Sequence, residues 1–381
     1  MTEPIDQRLT GVPTEDPRSP SRPGDDAIDG RSVVASPLAA PGDAGHSTAG
    51  GPIDVVFIGG ASRTGSTLLS LLLGSLPGYF AAGELRYLWL RGVAGDQLCE
   101  CGDPFRSCVV WRRVVERGLG PLDAAAAESY AELWSRTARV SPVLRSVVAM
   151  DGRSRAVRDR YLDAMRSVLR ALREVTGARS IVDASKYATD AWLLSTMPDV
   201  RVHAIHLVRD SRAVAHSWRR PKRRPEIYWR EARMELMSPS RSSFHWASMN
   251  AAMEAAGTRV DRYDRIRYED LVRDPIGTLA PLLPEGAREA LTALVSAGGI
   301  GRTTGHSFSG NPLRFDSEPL RIRPDHEWLR AMGDDAFRRV TAMTWPLLVH
   351  YGYPLSRSEW ARAFGGAPEA ADGRRAPASD R

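Results

Sequence analysis

Asp54-Val-Val-Phe-Ile-Gly-Gly-Ala-Ser-Arg-Thr-Gly-Ser-Thr-Leu-Leu-Ser-Leu-Leu-Leu-Gly74 runs from an apolar segment through a small-residue turn into a leucine-rich segment. Its opening apolar run, Val55 to Ile58, has the length of a strand buried on both faces. Small residues and glycines follow. Ser66-Thr67 then leads into Leu68, Leu69, Leu71, Leu72 and Leu73, a strongly apolar helix. Strand, small-residue turn and helix N-terminus make a phosphate cradle, because unpaired backbone N–H groups and the helix dipole point at one spot. The spacing Gly60-x4-Gly65-Ser66-Thr67 is almost a Walker A loop, with Ser66 where the phosphate-binding lysine would stand. Nucleotide triphosphatases and kinases use that lysine on the β- and γ-phosphates, so this loop suits another phosphorylated donor.

Away from this stretch, composition changes sharply at both ends. Residues 1–51 and 363–381 are rich in Pro, Gly, Asp and Ser with few large apolar side chains, which predicts disorder. Residues 52–362 then form one domain. The formal net charge is +6 and comes almost wholly from arginine, Lys186 and Lys222 being the lysines. Its spread along the chain, without a basic tract interleaved with aromatics, argues against nucleic-acid binding. Met-Thr-Glu-Pro-Ile-Asp-Gln-Arg has no apolar core behind it, so no secretory signal is read. Leu68 to Leu76 is too short to span a bilayer, and a cytoplasmic location is expected.

Along the domain, Pro77-Gly78 turns into a short strand, Tyr79 to Ala82, that ends at Gly83-Glu84. A loop carries all three cysteines, Cys99, Cys101 and Cys108. Three thiols at this spacing suit a metal, or one disulfide with a spare thiol. No fourth ligand lies nearby in sequence, so the loop is read as bracing a lid and no metal is expected. Helices are expected at 122–150 and 155–176, the second stopped by Gly177. Ser180 to Asp183 is a strand leading to Lys186, and 187–197 a helix. Arg201 to Arg209 is a clear strand, with Asp210-Ser211 capping a helix to Trp218. A basic loop, 219–225, comes next, then a helix at 244–256 and a strand at 263–267. Strand alternating with helix gives an α/β fold with a central parallel sheet and helices on both faces. Ligands of such sheets sit beyond the carboxyl ends of the strands. Gly59 to Thr67, Glu84, Lys186 and Arg209 all fall there and should converge.

Arg209 at a strand end and Ser217 two turns into the next helix can grip one phosphate from two sides. With the Ser66-Thr67 cradle, the sheet carries two separate phosphate sites. A nucleotide phosphorylated at both ends of its ribose fills both.

At this point the chain resembles a known family. Ala61-Ser-Arg-Thr-Gly-Ser-Thr-Leu-Leu69 is similar to the 5′-phosphosulfate loop of sulfotransferases that use PAPS (3′-phosphoadenosine 5′-phosphosulfate). Val208-Arg-Asp-Ser-Arg-Ala-Val-Ala-His-Ser-Trp218 resembles their 3′-phosphate motif. Ile181 to Lys186, Arg267-Tyr-Glu-Asp-Leu271 and the bacterial-type segment Gly305 to Phe315 also resemble stretches of the family, in the right order. The resemblance implies a three-layer P-loop-type fold and in-line transfer of a sulfuryl group from PAPS to a hydroxyl or amine, with no metal.

It also implies roles for residues. Arg63, Thr64, Gly65, Ser66 and Thr67 would bind the 5′-phosphosulfate, and Arg209 with Ser217 the 3′-phosphate. Lys186 and Arg63 would meet the charge developing on the leaving group, where fixed cations count most. Glu84 resembles the glutamate of the Gly-Glu motif of tyrosylprotein sulfotransferases and is the candidate base. Partial desolvation is expected to raise its pKa toward neutrality. His306 is the rival base. Asn311 and Arg314 are expected near the 3′-phosphate or the adenine, and Tyr268 near the 3′-phosphate. His203 and His206 read as core residues or as supports behind the site. The acceptor, a glycan, lipid or small natural product, is expected between the cysteine loop and the helices of 122–176. Oligomeric state has no readable motif. The alternatives are a P-loop small-molecule kinase and a non-catalytic nucleotide-binding or carbohydrate-recognition protein.

Overall fold

One five-stranded, all-parallel sheet organises the computed structural model, in the order β2-β3-β1-β4-β5. The structure describes residues 51–122, 124–137, 152–298, 305–316, 319 and 322–365. The expected terminal tails therefore lie almost entirely outside the described residues, as does the 138–150 part of the first expected long helix. The strands are β1 (Ile53–Gly59), β2 (Tyr79–Gly83), β3 (Ser180–Lys186), β4 (Val200–Val208) and β5 (Arg262–Arg267).

Alternation along β1 builds the layers. Val55 and Phe57 point into one apolar core, Val56 and Ile58 into another, as the two-residue side-chain period of a strand requires. The second core is closed by α1 (Ser66–Gly74), whose Leu68, Leu69, Leu72 and Leu73 are buried. The first is closed by α2 (Val109–Leu119), α3 (Ala124–Thr137), α4 (Gly152–Thr176) and α5 (Ala188–Ser195). A third cluster packs α6 (Ser211–Trp218) and α7 (Pro239–Gly257) against tryptophan-rich C-terminal helices through Trp218, Trp246, Trp328 and Trp360. The helix α7 begins five residues before its expected start, because Ser238 accepts from the Arg241 N–H and Pro239 occupies the first turn.

The strand order fixes where a ligand goes. The chain leaves β1 toward β2 on one side and leaves β4 toward β5 on the other. Their carboxyl ends diverge at a topological switch point, where such sheets bind ligands. His206, as expected, is a core residue: it is fully buried, bonded to Tyr263 Oη (2.7 Å) and Asn250 Oδ1 (2.8 Å), and burial pushes it down to about 4.

Candidate active site

A cleft of about 870 Å³ opens at this switch point, lined by Arg63, Gly65, Ser66, Thr67, Glu84, Lys186, Arg209, Ser217, Tyr268 and Asn311 among others. The sequence spreads these residues over separate segments, and the fold brings them together. A second hollow of about 510 Å³, lined by Arg265, Arg267 and Arg273, holds none of them.

The loop after β1 presents Arg63 in a left-handed conformation (φ 70°). Its guanidinium is nearly buried, stacked 4.7 Å from the centre of the Trp218 ring. None of its three nitrogens has a hydrogen-bond partner among the described residues. A buried, unpartnered cation is costly unless an anion comes to it. Gly65 (φ 95°) closes the loop, and a Cβ there would come within 2.5 Å of the Tyr268 ring. The Arg209 guanidinium lies 4.4 Å from the centre of the same ring. The Thr64 hydroxyl is turned inward to Ala61 O (3.0 Å), so its side chain does not reach the cleft.

Arg209 follows β4 directly. Trp246 Nε1 donates to its carbonyl (2.8 Å), and its own Nη1 donates to Arg63 O (3.3 Å). Ser217, half-buried on α6, also lines the cleft.

Glu84, at the end of β2, is bonded by Lys186 Nζ, which also donates to Ala184 O (3.2 Å). Arg91 stands 3.8 Å from its other oxygen, and Ser309 Oγ donates to that oxygen at 3.3 Å. Arg91 arrives on a π-helical turn, Leu88–Ala94, of the kind that collects at functional sites. Here the expectation of a raised pKa fails. Burial pushes the carboxyl up, but Lys186, Arg91 and Arg314 outweigh it and hold Glu84 below its ordinary value. Arg86, next but one, is engaged elsewhere with Asp190 (2.6 Å). Of the four non-glycine residues with positive φ among the described residues, Arg63, Lys186 and Ser309 belong to this site. Each such conformation costs on the order of 1–3 kcal/mol and persists where the surroundings enforce it.

The late loop docks on β2 through the bridge between Gly83 and Phe308. Asn311 lies on the cradle, its N–H donating to Thr67 Oγ1 (3.3 Å), and Arg314 is buried where its charge acts on Glu84 and Glu226. Asn311 lines the same cleft as Arg209. His306 is not a cleft residue: its Nδ1 is 3.3 Å from Cys108 Sγ. The described parts of α3 and α4, and the cysteine loop, do not line the cleft. Its outer wall is the segment from Trp218 to Arg241.

That wall contains what sequence reasoning missed. Lys222 is lowered by burial and by the charges of Arg63, Arg220 and Arg209, so the four cations share one field. The signal available was Lys222 itself, one of two lysines in an arginine-rich chain. Asp325, which binds Arg209 Nη2 at 2.9 Å, was also missed.

The solved structures to which the chain is similar are remote in sequence. The sulfotransferase domain from the Synechococcus PCC 7002 olefin synthase is 18% identical, covers 80% of this chain and 97% of that one, and gives a TM-score of 0.42. The sulfotransferase domain from the curacin biosynthetic pathway is 18% identical, covering 80% and 100%, with a TM-score of 0.43. Sulfotransferase STF9 from Mycobacterium avium is 13% identical, covering 80% and 78%, with a TM-score of 0.40. No curated protein sequence matches. The profile of the sulfotransferase family matches residues 54–284, more than half of the chain and all five strands, and the protein belongs to that family.

Proposed function

We propose that the protein moves the sulfuryl group of PAPS to a hydroxyl (or amine) of an acceptor such as a glycan, lipid or small natural product. The observation that carries this reading is the buried, unpartnered guanidinium of Arg63, which shares a cleft and an electrostatic field with Arg209 and Lys222. In this reading Arg63 to Thr67 hold the 5′-phosphosulfate through backbone N–H groups, the Ser66 and Thr67 hydroxyls and the helix dipole of α1. Arg209 and Ser217 hold the 3′-phosphate, with Tyr268 packed between the two sites.

The acceptor oxygen attacks sulfur in line. Its bond to sulfur forms as the bond from sulfur to the 5′-phosphate oxygen breaks, and adenosine 3′,5′-bisphosphate departs. Lys186 and Arg63 meet the charge left on that oxygen. The acceptor proton passes to Glu84. The ion pair of Glu84 with Lys186 supplies the control: an arriving phosphosulfate competes for the ammonium, and Glu84 then keeps its burial while losing its main lowering charge. Its carboxyl rises toward the range in which it takes a proton. The donor is held by guanidinium and ammonium groups, without a metal in the transfer.

Calorimetric titration of adenosine 3′,5′-bisphosphate, beside ATP with Mg²⁺, tests this on wild type and Arg209→Ala. Metal-independent binding of the bisphosphate that is lost in the variant is expected. Binding of Mg-ATP without the bisphosphate would overturn the reading and favour a kinase.

A further inference from the structure

Away from the cleft, the three cysteines and His306 form a second constellation. The four potential ligand atoms all lie within 4.8 Å of one another. Bonds of about 2.3 Å from zinc to sulfur and about 2.0 Å to nitrogen, at tetrahedral angles, separate ligand atoms by roughly 3.5–3.8 Å. The His306 Nδ1 distances, 3.9 Å to Cys99 Sγ and 3.3 Å to Cys108 Sγ, bracket that range. All three thiols are free, Cys99 and Cys108 buried and Cys101 half-buried. The fourth ligand, which no residue near the cysteines in sequence supplies, comes from 198 residues beyond Cys108.

We propose that Cys99, Cys101, Cys108 and His306 Nδ1 bind one zinc ion as a closed structural site. Three soft thiolates and an imidazole select zinc over the hard divalent cations. Four protein ligands complete a tetrahedron and leave no position for a reacting water. The backbone is built for such a site. A tight turn joins the first two ligands, with Gly102 N donating to Cys99 O (3.0 Å) and Cys99 N to Asp103 O (2.9 Å). Cys108 stands at the N-cap of α2, where the helix dipole favours a thiolate. His306 is presented by supporting hydrogen bonds: Trp111 Nε1 donates to its carbonyl (2.8 Å), and Ser307 N donates to Glu100 Oε2 (3.1 Å).

The consequence reaches the cleft. The residues that follow His306 include Ser309, bonded to Glu84, and Asn311, bonded to Thr67. A metal here clips the late loop to the cysteine loop and to α2, and so holds the roof over the cradle. The site stands or falls independently of the sulfuryl-transfer reading.

Elemental analysis of the full chain, purified under reducing conditions without chelators, is expected to find one zinc per chain. Exchange with Co²⁺ should give the thiolate-to-metal charge-transfer absorption and intense visible bands of a tetrahedral thiolate site. Cys101→Ser should lose the metal on dialysis, while His306→Cys should retain it with an altered cobalt spectrum. Folded wild type that takes up neither Zn²⁺ nor Co²⁺ stoichiometrically, or that carries a disulfide between two of these cysteines when reductant is withheld, would overturn the proposal. That arm needs no variant to fold.

Discussion

Arg209 Nη2 donates to Asp325 Oδ2 at 2.9 Å, so the cation assigned to the 3′-phosphate already holds a carboxylate. A phosphate arriving at Arg209 must displace Asp325 or accommodate its charge. The Asp325 side chain is 39% exposed, which makes this a partly screened pair. Such pairs are worth about 1 kcal/mol or less. Asp325→Asn should therefore bind adenosine 3′,5′-bisphosphate up to about fivefold more tightly. The gain should shrink at high salt, where the competing pair is screened. Titration calorimetry at two salt concentrations checks this; weaker binding by the variant would mean that Asp325 helps to hold the ligand.

The ion pair of Glu84 and Lys186 carries the second prediction. Glu84→Gln should lower turnover by roughly 10²–10⁴-fold, the usual worth of a general base. Lys186→Ala should lower it by a comparable amount, on the order of 10²–10³-fold, as expected for a group facing developing charge. Bisphosphate binding by Glu84→Gln should stay near wild type, which separates a catalytic role from a structural one. In the free protein Glu84 lies below its ordinary carboxylate range because of Lys186 and its neighbours. In Lys186→Ala the acid limb of the kcat/KM profile should thus move to higher pH. Full turnover by both variants would mean that neither Glu84 nor Lys186 acts in the transfer.

The parts of the site legible in the sequence are the local ones. The cradle is a contiguous strand, turn and helix, and Arg209 is simply the residue after the apolar run of β4, so spacing alone places both. Lys186 is legible for the same reason. The partners are not. Glu84 and Lys186 are 102 residues apart, and only the packing of β2 against β3 reveals that their pairing reverses the pKa expected from burial. His306 lies far from the cysteines, on a loop without periodicity, so no spacing rule could join them. Within the segment from Trp218 to Arg241 the sequence shows only the basic loop 219–225, and nothing in its order says that the segment folds over the cleft.

Glu269 gives a pH prediction for stability. It is buried beside the Asp210 charge and raised to about 7, with Tyr353 Oη donating to it at 2.6 Å. Between its unfolded value, about 4.3, and 7, the folded chain holds a proton that the unfolded chain releases. By linkage this group's contribution to stability falls as pH rises through that window and levels off above it. Glu269→Gln imitates the protonated form and should flatten that part of the stability profile. Urea unfolding at several pH values measures it; an unchanged slope in the variant would show that Glu269 is ionised in the folded state.

Asp210 and Arg212 sit at the start of α6, one and three residues after Arg209, and both side chains are fully buried. Arg212 Nε and Nη2 donate to the two Asp210 oxygens at 2.8 and 2.6 Å. The remaining donors reach Pro354 O (2.6 Å) and Leu355 O (3.1 Å). The pair therefore joins the turn that carries Arg209 to the C-terminal segment and satisfies the Pro354 and Leu355 carbonyls. Removing one partner strands a buried charge. Arg212→Met should cost about 3–5 kcal/mol. Removing both, in Asp210→Asn with Arg212→Met, should cost less than the sum of the two single changes, since no charge is then left alone. Urea unfolding of the four proteins of this cycle measures the coupling. Additive losses would mean that the two groups do not act as a pair. Bisphosphate affinity should fall in Arg212→Met as well, even though Arg209 is untouched, because the turn that aims Arg209 loses its anchor.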